Sequence, residues 1–246
     1  MNYSQELFEK YRTTHVIPRD GEGGRSRFLA EAKMWESVFA RFLPERRDAI
    51  IMDLGCGSGS LLHWIQSKGY TEAHGIDLSP EEVQTAQKLQ VKNVRIGQLE
   101  DVLAEAQPRY DLIILRDVLE HLPKQVAFDV LKGIFRVLKP GGRLLLQVPN
   151  RASPFFGRTF YGDFTHEWAY TTLSISQLAH ALEYRILGCF PYHPCSGSLA
   201  SRLKGGVIWL VEATIRLYIR IEMGDRQAVV SQVLVAVLEK SVASGR

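Results

Sequence analysis

The sequence predicts an α/β fold, a mostly parallel seven-stranded sheet with helices on both faces, and three observations carry that prediction. Apolar runs of strand length recur near 49–54, 73–78, 94–97, 111–116, 143–148, 185–190 and 232–238, with helical patterns between most of them; such alternation builds a parallel sheet. The segment Ile50-Ile-Met-Asp53-Leu-Gly55-Cys56-Gly57-Ser-Gly59 joins the first run to a helix through three glycines at alternate positions. The second run closes on a carboxylate, in Gly75-Ile-Asp77-Leu78.

Each element has a local cause. The glycines let the chain turn sharply and bring bare backbone N–H groups against a ligand, just ahead of a positively polarised helix N-terminus. Asp77 lies 22 residues beyond Gly55, the separation of an acid that accepts from ribose hydroxyls. Ser79-Pro80-Glu-Glu82 supplies a cap, a first-turn proline and two acids, so a helix starts directly after Asp77. Lys139-Pro-Gly-Gly142 is expected to end the helix begun near Pro123 and turn the chain into the fifth strand, and Ser174 to cap a helix through Tyr184. About forty residues separate the last two strands, and within them Val207 to Ile221 is apolar around most of its circumference, with Glu212, Arg216 and Arg220 as a polar stripe. Such a helix is expected to bury most of its surface.

Composition bounds the function. With 246 residues, 46% of them hydrophobic, the chain can bury a full core. Its net charge of +3, on 30 basic and 27 acidic residues with no long basic run, argues against a nucleic-acid substrate. Cys56, Cys189 and Cys195 lack zinc-ligand spacing and read as free thiols. The first residues have neither the basic start nor the apolar run of a signal peptide, so a cytoplasmic protein is expected, with peripheral contact at the inner membrane face as a further option.

A glycine loop alone is shared by several nucleotide-binding classes. Asp53 discriminates among them, because a carboxylate just ahead of the turn would repel a diphosphate but suits S-adenosylmethionine, which brings an ammonium, a sulfonium and no phosphate.

With that charge logic in place, the chain resembles the class I S-adenosylmethionine-dependent methyltransferases. Asp53-Leu-Gly-Cys-Gly-Ser-Gly59 is similar to their first motif, Gly75-Ile-Asp77-Leu-Ser79 to the second and Tyr110 through Leu122, with Arg116-Asp117-Val-Leu-Glu-His121, to the fourth; Leu138 to Pro149 resembles the strand that closes the core. The resemblance implies a Rossmann-like sheet with an antiparallel last strand and a helical insert, 197–228, before it. It divides the chain into an N-terminal arm and helix over the cofactor, 1–45, in which Tyr11 and Arg12 fall, and the methyltransferase domain, 46–246. It assigns Asp53, Gly55, Cys56, Gly57 and Gly59 to the methionine end of the cofactor, Asp77 to the ribose and Leu78 to one adenine face. Gln98 is placed at the adenine amino group, with Glu100 as its competitor, and Arg116 and Asp117 also fall at the cofactor.

Methyl transfer needs an aligned nucleophile and, for an alcohol, a group that removes its proton. His121 follows the fourth strand and His166 the fifth, both on the ligand-binding edge of the sheet. His166 is favoured as base because Asp163, three residues earlier, could orient its ring. Asp163, His166 and Glu167 could instead hold a divalent metal, though the reading adopted assigns none. Seven aromatics between Asn150 and Tyr170 suggest a lid over a ring-shaped acceptor, residues 150–172, with Arg151 and Arg158 available for an anionic group on it.

A second, weaker resemblance rests on Gly162-Asp-Phe-Thr-His166, the capped helix and the insert, which together look like methyltransferases of bacterial cell-surface polysaccharide synthesis. It implies O-methylation of a sugar hydroxyl in a glycan or its precursor. A quinone or secondary-metabolite O-methyltransferase competes within the same chemistry, and a non-catalytic cofactor-binding partner of a glycan-synthesis complex outside it. For the insert, packing on its own domain, a homodimer interface and weak membrane-surface contact are all open. Nucleobase amine methylation is disfavoured because Arg116-Asp117-Val118-Leu119 replaces the Asn/Asp-Pro-Pro-aromatic signature. A nicotinamide dehydrogenase shares the sheet and the ribose acid. Calorimetry separates the two: S-adenosylmethionine is expected to bind in preference to the dinucleotide, and the opposite order would overturn the reading built on Asp53.

Overall fold

The computed structural model describes residue 7, residues 24–195 and residues 198–241. Tyr11 and Arg12 lie outside the described residues. In chain order the elements are α1 (Gly24–Phe39), a 3-10 turn (Ala40–Phe42), β1 (Ile51–Leu54), α2 (Ser60–Ser67), β2 (Ala73–Asp77), α3 (Pro80–Lys88), β3 (Val94–Ile96), α4 (Leu99–Leu103) and β4 (Tyr110–Arg116). A 3-10 turn (Leu119–His121) then leads to α5 (Lys124–Val137), β5 (Leu138–Pro149), α6 (Phe156–Phe160), α7 (Thr172–Ala181), β6 (Tyr184–Pro191), α8 (Leu199–Met223) and β7 (Val233–Lys240).

The seven strands form one sheet in the order β3-β2-β1-β4-β5-β7-β6. The first five are parallel, and β7 runs antiparallel to both neighbours. All four residues of β1 are buried, which is why its sequence is continuously apolar apart from Asp53. Side-chain alternation assigns the two faces of β4: Ile113 and Leu115 pack with α5 and α7, while Leu112 and Ile114 pack with α1 and α2. Strand order reverses between β1 and β4, so their carboxyl ends open the crevice in which doubly wound sheets bind ligands.

Three local expectations need correction. Thr171, rather than Ser174, is the N-cap of α7: its side chain accepts from Ser174 N at 3.1 Å while Ser174 Oγ accepts from Thr171 N at 2.8 Å, a reciprocal box that a sequence scan assigned to its second member. Lys139–Gly142 does not lie ahead of the fifth strand but inside β5, where a register shift against β4 absorbs the turn. A Cβ at Gly142 would come within 2.8 Å of Lys139 O and 2.9 Å of Tyr110 O, so this bulge needs a glycine.

The third correction concerns the insert. Of α8 only Glu212 is buried, held by His193 Nε2 at 3.1 Å and Arg216 Nη1 at 3.0 Å. Leu203, Trp209, Leu210 and Ile221 are each more than 60% exposed. Against the described residues the helix therefore covers only a narrow stripe around Glu212, with Ile208, Ile215 and Ile219 partly buried, rather than most of its surface: apolar periodicity states that a helix wants a partner but not that the same chain supplies one. No helix among the described residues is long and apolar enough to cross a membrane.

The link that places the acceptor segment is Asn150, fully buried at the end of β5. Its Nδ2 donates to Val229 O at 2.8 Å and Ser231 O at 2.9 Å, and its Oδ1 accepts from Ala152 N at 3.0 Å. Replacing Asn150 with Ala leaves these groups without their partner, and urea unfolding is expected to show a loss of about 3 kcal/mol.

Candidate functional site

Gly55, Gly57 and Gly59 all adopt left-handed φ, at +76°, +54° and +76°, so the alternate spacing is a conformational requirement. A Cβ on Gly55 would overlap the side chain of Val118, while on Gly57 it would meet only Glu82 Oε2, at 3.9 Å. The loop is therefore clamped at its first glycine and open at its second, the shape of a ligand cradle. Asp77 fixes the geometry: Oδ2 accepts from Gly57 N at 2.7 Å and Oδ1 from Ser79 N at 2.8 Å. Burial raises the Asp77 pKa against the lowering effect of these two bonds.

Asp53 is 1% exposed, and among the described residues neither carboxylate oxygen has a hydrogen-bond partner. Burial pushes its pKa up to about 7, with Arg116 opposing and Asp77 adding to the rise. A buried carboxylate left this way is costly unless a cationic donor completes it. The ammonium and sulfonium of S-adenosylmethionine meet that need, so the residues present fit the cofactor the sequence implied.

The remaining cofactor candidates divide. Leu78 is 47% exposed beside Asp77, free to cover a flat ring, and Gln98 and Glu100 are both exposed where β3 meets α4, so the structure keeps both options. The Cys56 side chain turns inward instead: a Cβ on Gly75 would come within 2.8 Å of its Sγ, and burial raises the thiol pKa well above its usual value. Its role is packing under the turn, and its place in the motif could not show which way the side chain points. Arg116 and Asp117 are engaged with one another at 3.2 Å. Asp117, at φ +54°, also accepts from Gln147 Nε2 at 2.9 Å, and the Arg116 guanidinium lies 5.0 Å from the Trp35 ring. They brace the crevice between β4, β5 and α1.

The two histidines, 45 positions apart in sequence, come together with ring centroids 4.6 Å apart. Glu120 arranges this: its carbonyl accepts from Glu167 N at 2.7 Å and Trp168 N at 3.1 Å, tying the acceptor segment to the turn after β4. Asp163 stands beside both histidines rather than His166 alone. Asp163 Oδ1 accepts from Thr165 Oγ1 at 2.6 Å, and Thr165 Oγ1 in turn lies 2.8 Å from His121 Nδ1. Since the single hydroxyl proton goes to the carboxylate, His121 Nδ1 must carry the donated proton, and the lone pair sits on Nε2. Asp163 thus orients His121 through Thr165. His166 Nδ1 donates to Phe160 O at 2.8 Å, which leaves its Nε2 as the lone-pair nitrogen, 3.9 Å from Asp163 Oδ2. Burial and the neighbouring His166 lower the His121 pKa to about 4, so that ring is neutral near pH 7.

Glu120 and Thr165 were not singled out in the sequence. Glu120 Oε2 is buried with no hydrogen-bond partner among the described residues, and burial with the nearby Asp117 raises its pKa well above the usual carboxylate range. Ligand atoms of Glu120, His121 and His166 all lie within 4.8 Å of one another. The expected Asp163–His166–Glu167 grouping is thus replaced by one that draws its carboxylate from the strand-four turn. The lid aromatics split likewise: Phe156, Phe160 and Tyr161 cluster beside His166, Phe155 and Phe164 are exposed, and Tyr170 is buried. Trp168 carries the Lys124 ammonium 3.5 Å and the Arg151 guanidinium 5.3 Å from its ring centre.

Comparison with known proteins gives the family and the fold. A family model described as a methyltransferase domain matches residues 26–190. The ubiquinone biosynthesis O-methyltransferase of Xanthomonas oryzae pv. oryzae (strain PXO99A) is 33% identical over 120 residues, 46% of this chain and 48% of that protein. Its namesake in Xylella fastidiosa (strain 9a5c) is 35% identical over 114 residues, 44% and 45% of the two chains. The aligned region thus spans about half the length of these curated relatives. Among solved structures, an S-adenosylmethionine-dependent methyltransferase from Archaeoglobus fulgidus superposes with a TM-score of 0.64 at 19% identity, over 87% of this chain and 99% of that one. Magnesium protoporphyrin IX methyltransferase from Synechocystis PCC 6803, solved with bound cofactor, gives 0.58 at 16% identity over 97% and 96%. These two show a shared fold.

The pKa of Asp53 generates a prediction with a definite sign. Because the folded value exceeds the unfolded one, the ligand-free protein is expected to lose stability as pH rises from about 4 to 7. A cationic ligand reverses the preference, so binding at pH 7 should release about half a proton, measurable by calorimetry in buffers of different ionisation heat. Asp53→Asn should raise the melting temperature of the free protein at pH 8 while weakening S-adenosylmethionine binding by about tenfold to a hundredfold.

Proposed function

The chain belongs to the methyltransferase-domain family, as an S-adenosylmethionine-dependent enzyme of the class I, Rossmann-like fold, and we propose that it methylates a hydroxyl on a quinone-type or other phenolic ring. One observation carries the proposal. The overlap that any Cβ on Gly55 would have with Val118 puts the cofactor loop in contact with the turn bearing Glu120 and His121, and that turn holds His166 through the Glu120 carbonyl. The proton-accepting cluster is thereby tied to the glycine loop that cradles the methyl donor.

Two further features support a ring hydroxyl. The aromatic cluster Phe156, Phe160 and Tyr161 stands next to His166 and offers faces for stacking. The relatives named for ubiquinone biosynthesis are O-methyltransferases, matched over about half their length. A sugar hydroxyl was the leading expectation from the Gly162–His166 segment, and the relatives favour the ring over it.

In the reaction the acceptor hydroxyl docks against Glu120, His121 and His166 and loses its proton there. The oxygen lone pair forms the bond to the methyl carbon, and the carbon–sulfur bond breaks with its electron pair left on sulfur. The sulfonium becomes a neutral thioether, so alignment and control of the acceptor proton supply most of the catalysis.

Transfer of labelled methyl from S-adenosylmethionine to a panel of dihydroxybenzoates, with nucleotide sugars as the contrasting arm, tests the assignment. Methylation of the aromatic diols is expected, and methylation confined to the sugars would overturn it. His166→Ala and His121→Ala should each lower kcat by about 10²- to 10⁴-fold with unchanged cofactor affinity.

A further inference from the structure

The geometry points to a divalent-cation site formed by Glu120 Oε2, His121 Nε2 and His166 Nε2, which binds the acceptor oxygen during methyl transfer. The inference rests on the reading of this cluster as the acceptor site and names the group that would hold the oxygen there.

Three independent features converge. First, the three residues come from two separate segments, the turn after β4 and the loop before α7, and one ligating atom from each, an imidazole nitrogen or a carboxylate oxygen, lies within 4.8 Å of the others. Second, Glu120 is 1% exposed and its Oε2 has no hydrogen-bond partner among the described residues. An anionic oxygen in that position is a strong drive for a cation, since no donor satisfies it. Third, each imidazole is held at Nδ1 by an outer partner: Thr165 Oγ1, itself bonded to Asp163, for His121, and the Phe160 carbonyl for His166. Metal-ligating histidines are oriented in this manner, with the second nitrogen's N–H given to a carbonyl or a carboxylate-linked group so that the first presents its lone pair to the ion.

The ligand chemistry selects the ion. Two imidazoles and one carboxylate suit a borderline cation such as zinc, with an open position for substrate, better than magnesium, which takes an oxygen shell and keeps its waters. A redox-inert ion suffices, because methyl transfer changes no oxidation state at the acceptor oxygen. Coordination would lower the pKa of the bound hydroxyl; its proton leaves to solvent, and the oxyanion then attacks the methyl carbon as above.

The test uses the full chain stripped with chelator and titrated with Co²⁺, followed by visible absorption, and with Zn²⁺, followed by calorimetry; S-adenosylmethionine binding is measured on the same samples. One equivalent of Co²⁺ is expected to bind with a ligand-field band. Glu120→Gln and His166→Ala should each weaken binding by more than about a hundredfold, and Thr165→Val, which keeps side-chain volume and removes only the hydroxyl that orients His121, by about tenfold to a hundredfold. Far-ultraviolet circular dichroism checks that each variant folds, and Thr165→Val carries the test if the Glu120 variant does not. Absence of binding in the wild-type chain, or equal affinity in folded variants, overturns the cation site. If S-adenosylmethionine still binds in that case, the methyltransferase reading stands without the metal; if it does not bind, that reading is the one that fails.

Discussion

The site depends on one carboxylate that closes a backbone loop. Asp77 holds Gly57 N at 2.7 Å and Ser79 N at 2.8 Å, which joins the end of β1 to the start of α3 and keeps three consecutive alternate glycines in left-handed conformations. A non-glycine chain would resist those angles, and without the acid the loop N–H groups would have no fixed direction. The same side chain is the one placed to meet a ribose, so the group that builds the cradle also reads its ligand.

A second constraint extends outward from that loop. Val118 fills the space that a Cβ on Gly55 would need, and two residues on, the Glu120 carbonyl takes N–H bonds from Glu167 and Trp168. Cofactor loop, strand-four turn and acceptor segment therefore form one connected unit. The charges buried within it are incomplete: among the described residues, Asp53 and Glu120 both hold carboxylate oxygens without donors. Such groups oppose folding unless a partner completes them.

Much of this was legible in the sequence because it is local. Asp53, the glycines and Asp77 lie within a strand–turn–helix–strand unit whose geometry follows from glycine stereochemistry and sheet periodicity, and both histidines were placed on the correct edge of the sheet. Where the reading failed, the deciding contact was distant. Asp163 was assigned to His166 alone by proximity along the chain, whereas it stands 3.9 Å from His166 and also reaches His121 through Thr165, 44 positions from that histidine. Cys56 stands in the motif but faces Gly75, because side-chain direction depends on what the neighbouring strand leaves open. The long helix α8 was expected to bury most of its surface, yet among the described residues only a stripe around Glu212 is covered.

The sequence by itself determined the sheet, the methyl-donor crevice and the set of ionisable residues near it, since backbone conformation and hydrophobic period are properties of short segments. Only the tertiary structure decided which of those residues act together. Glu120 became part of the site when the chain after β5 folded back onto the turn after β4, and the nitrogen bearing the His121 lone pair was set by a hydrogen bond to that returning segment. Tautomer, desolvation and partner are properties of an assembled environment, in which low polarity magnifies each charge and geometry selects its counterpart.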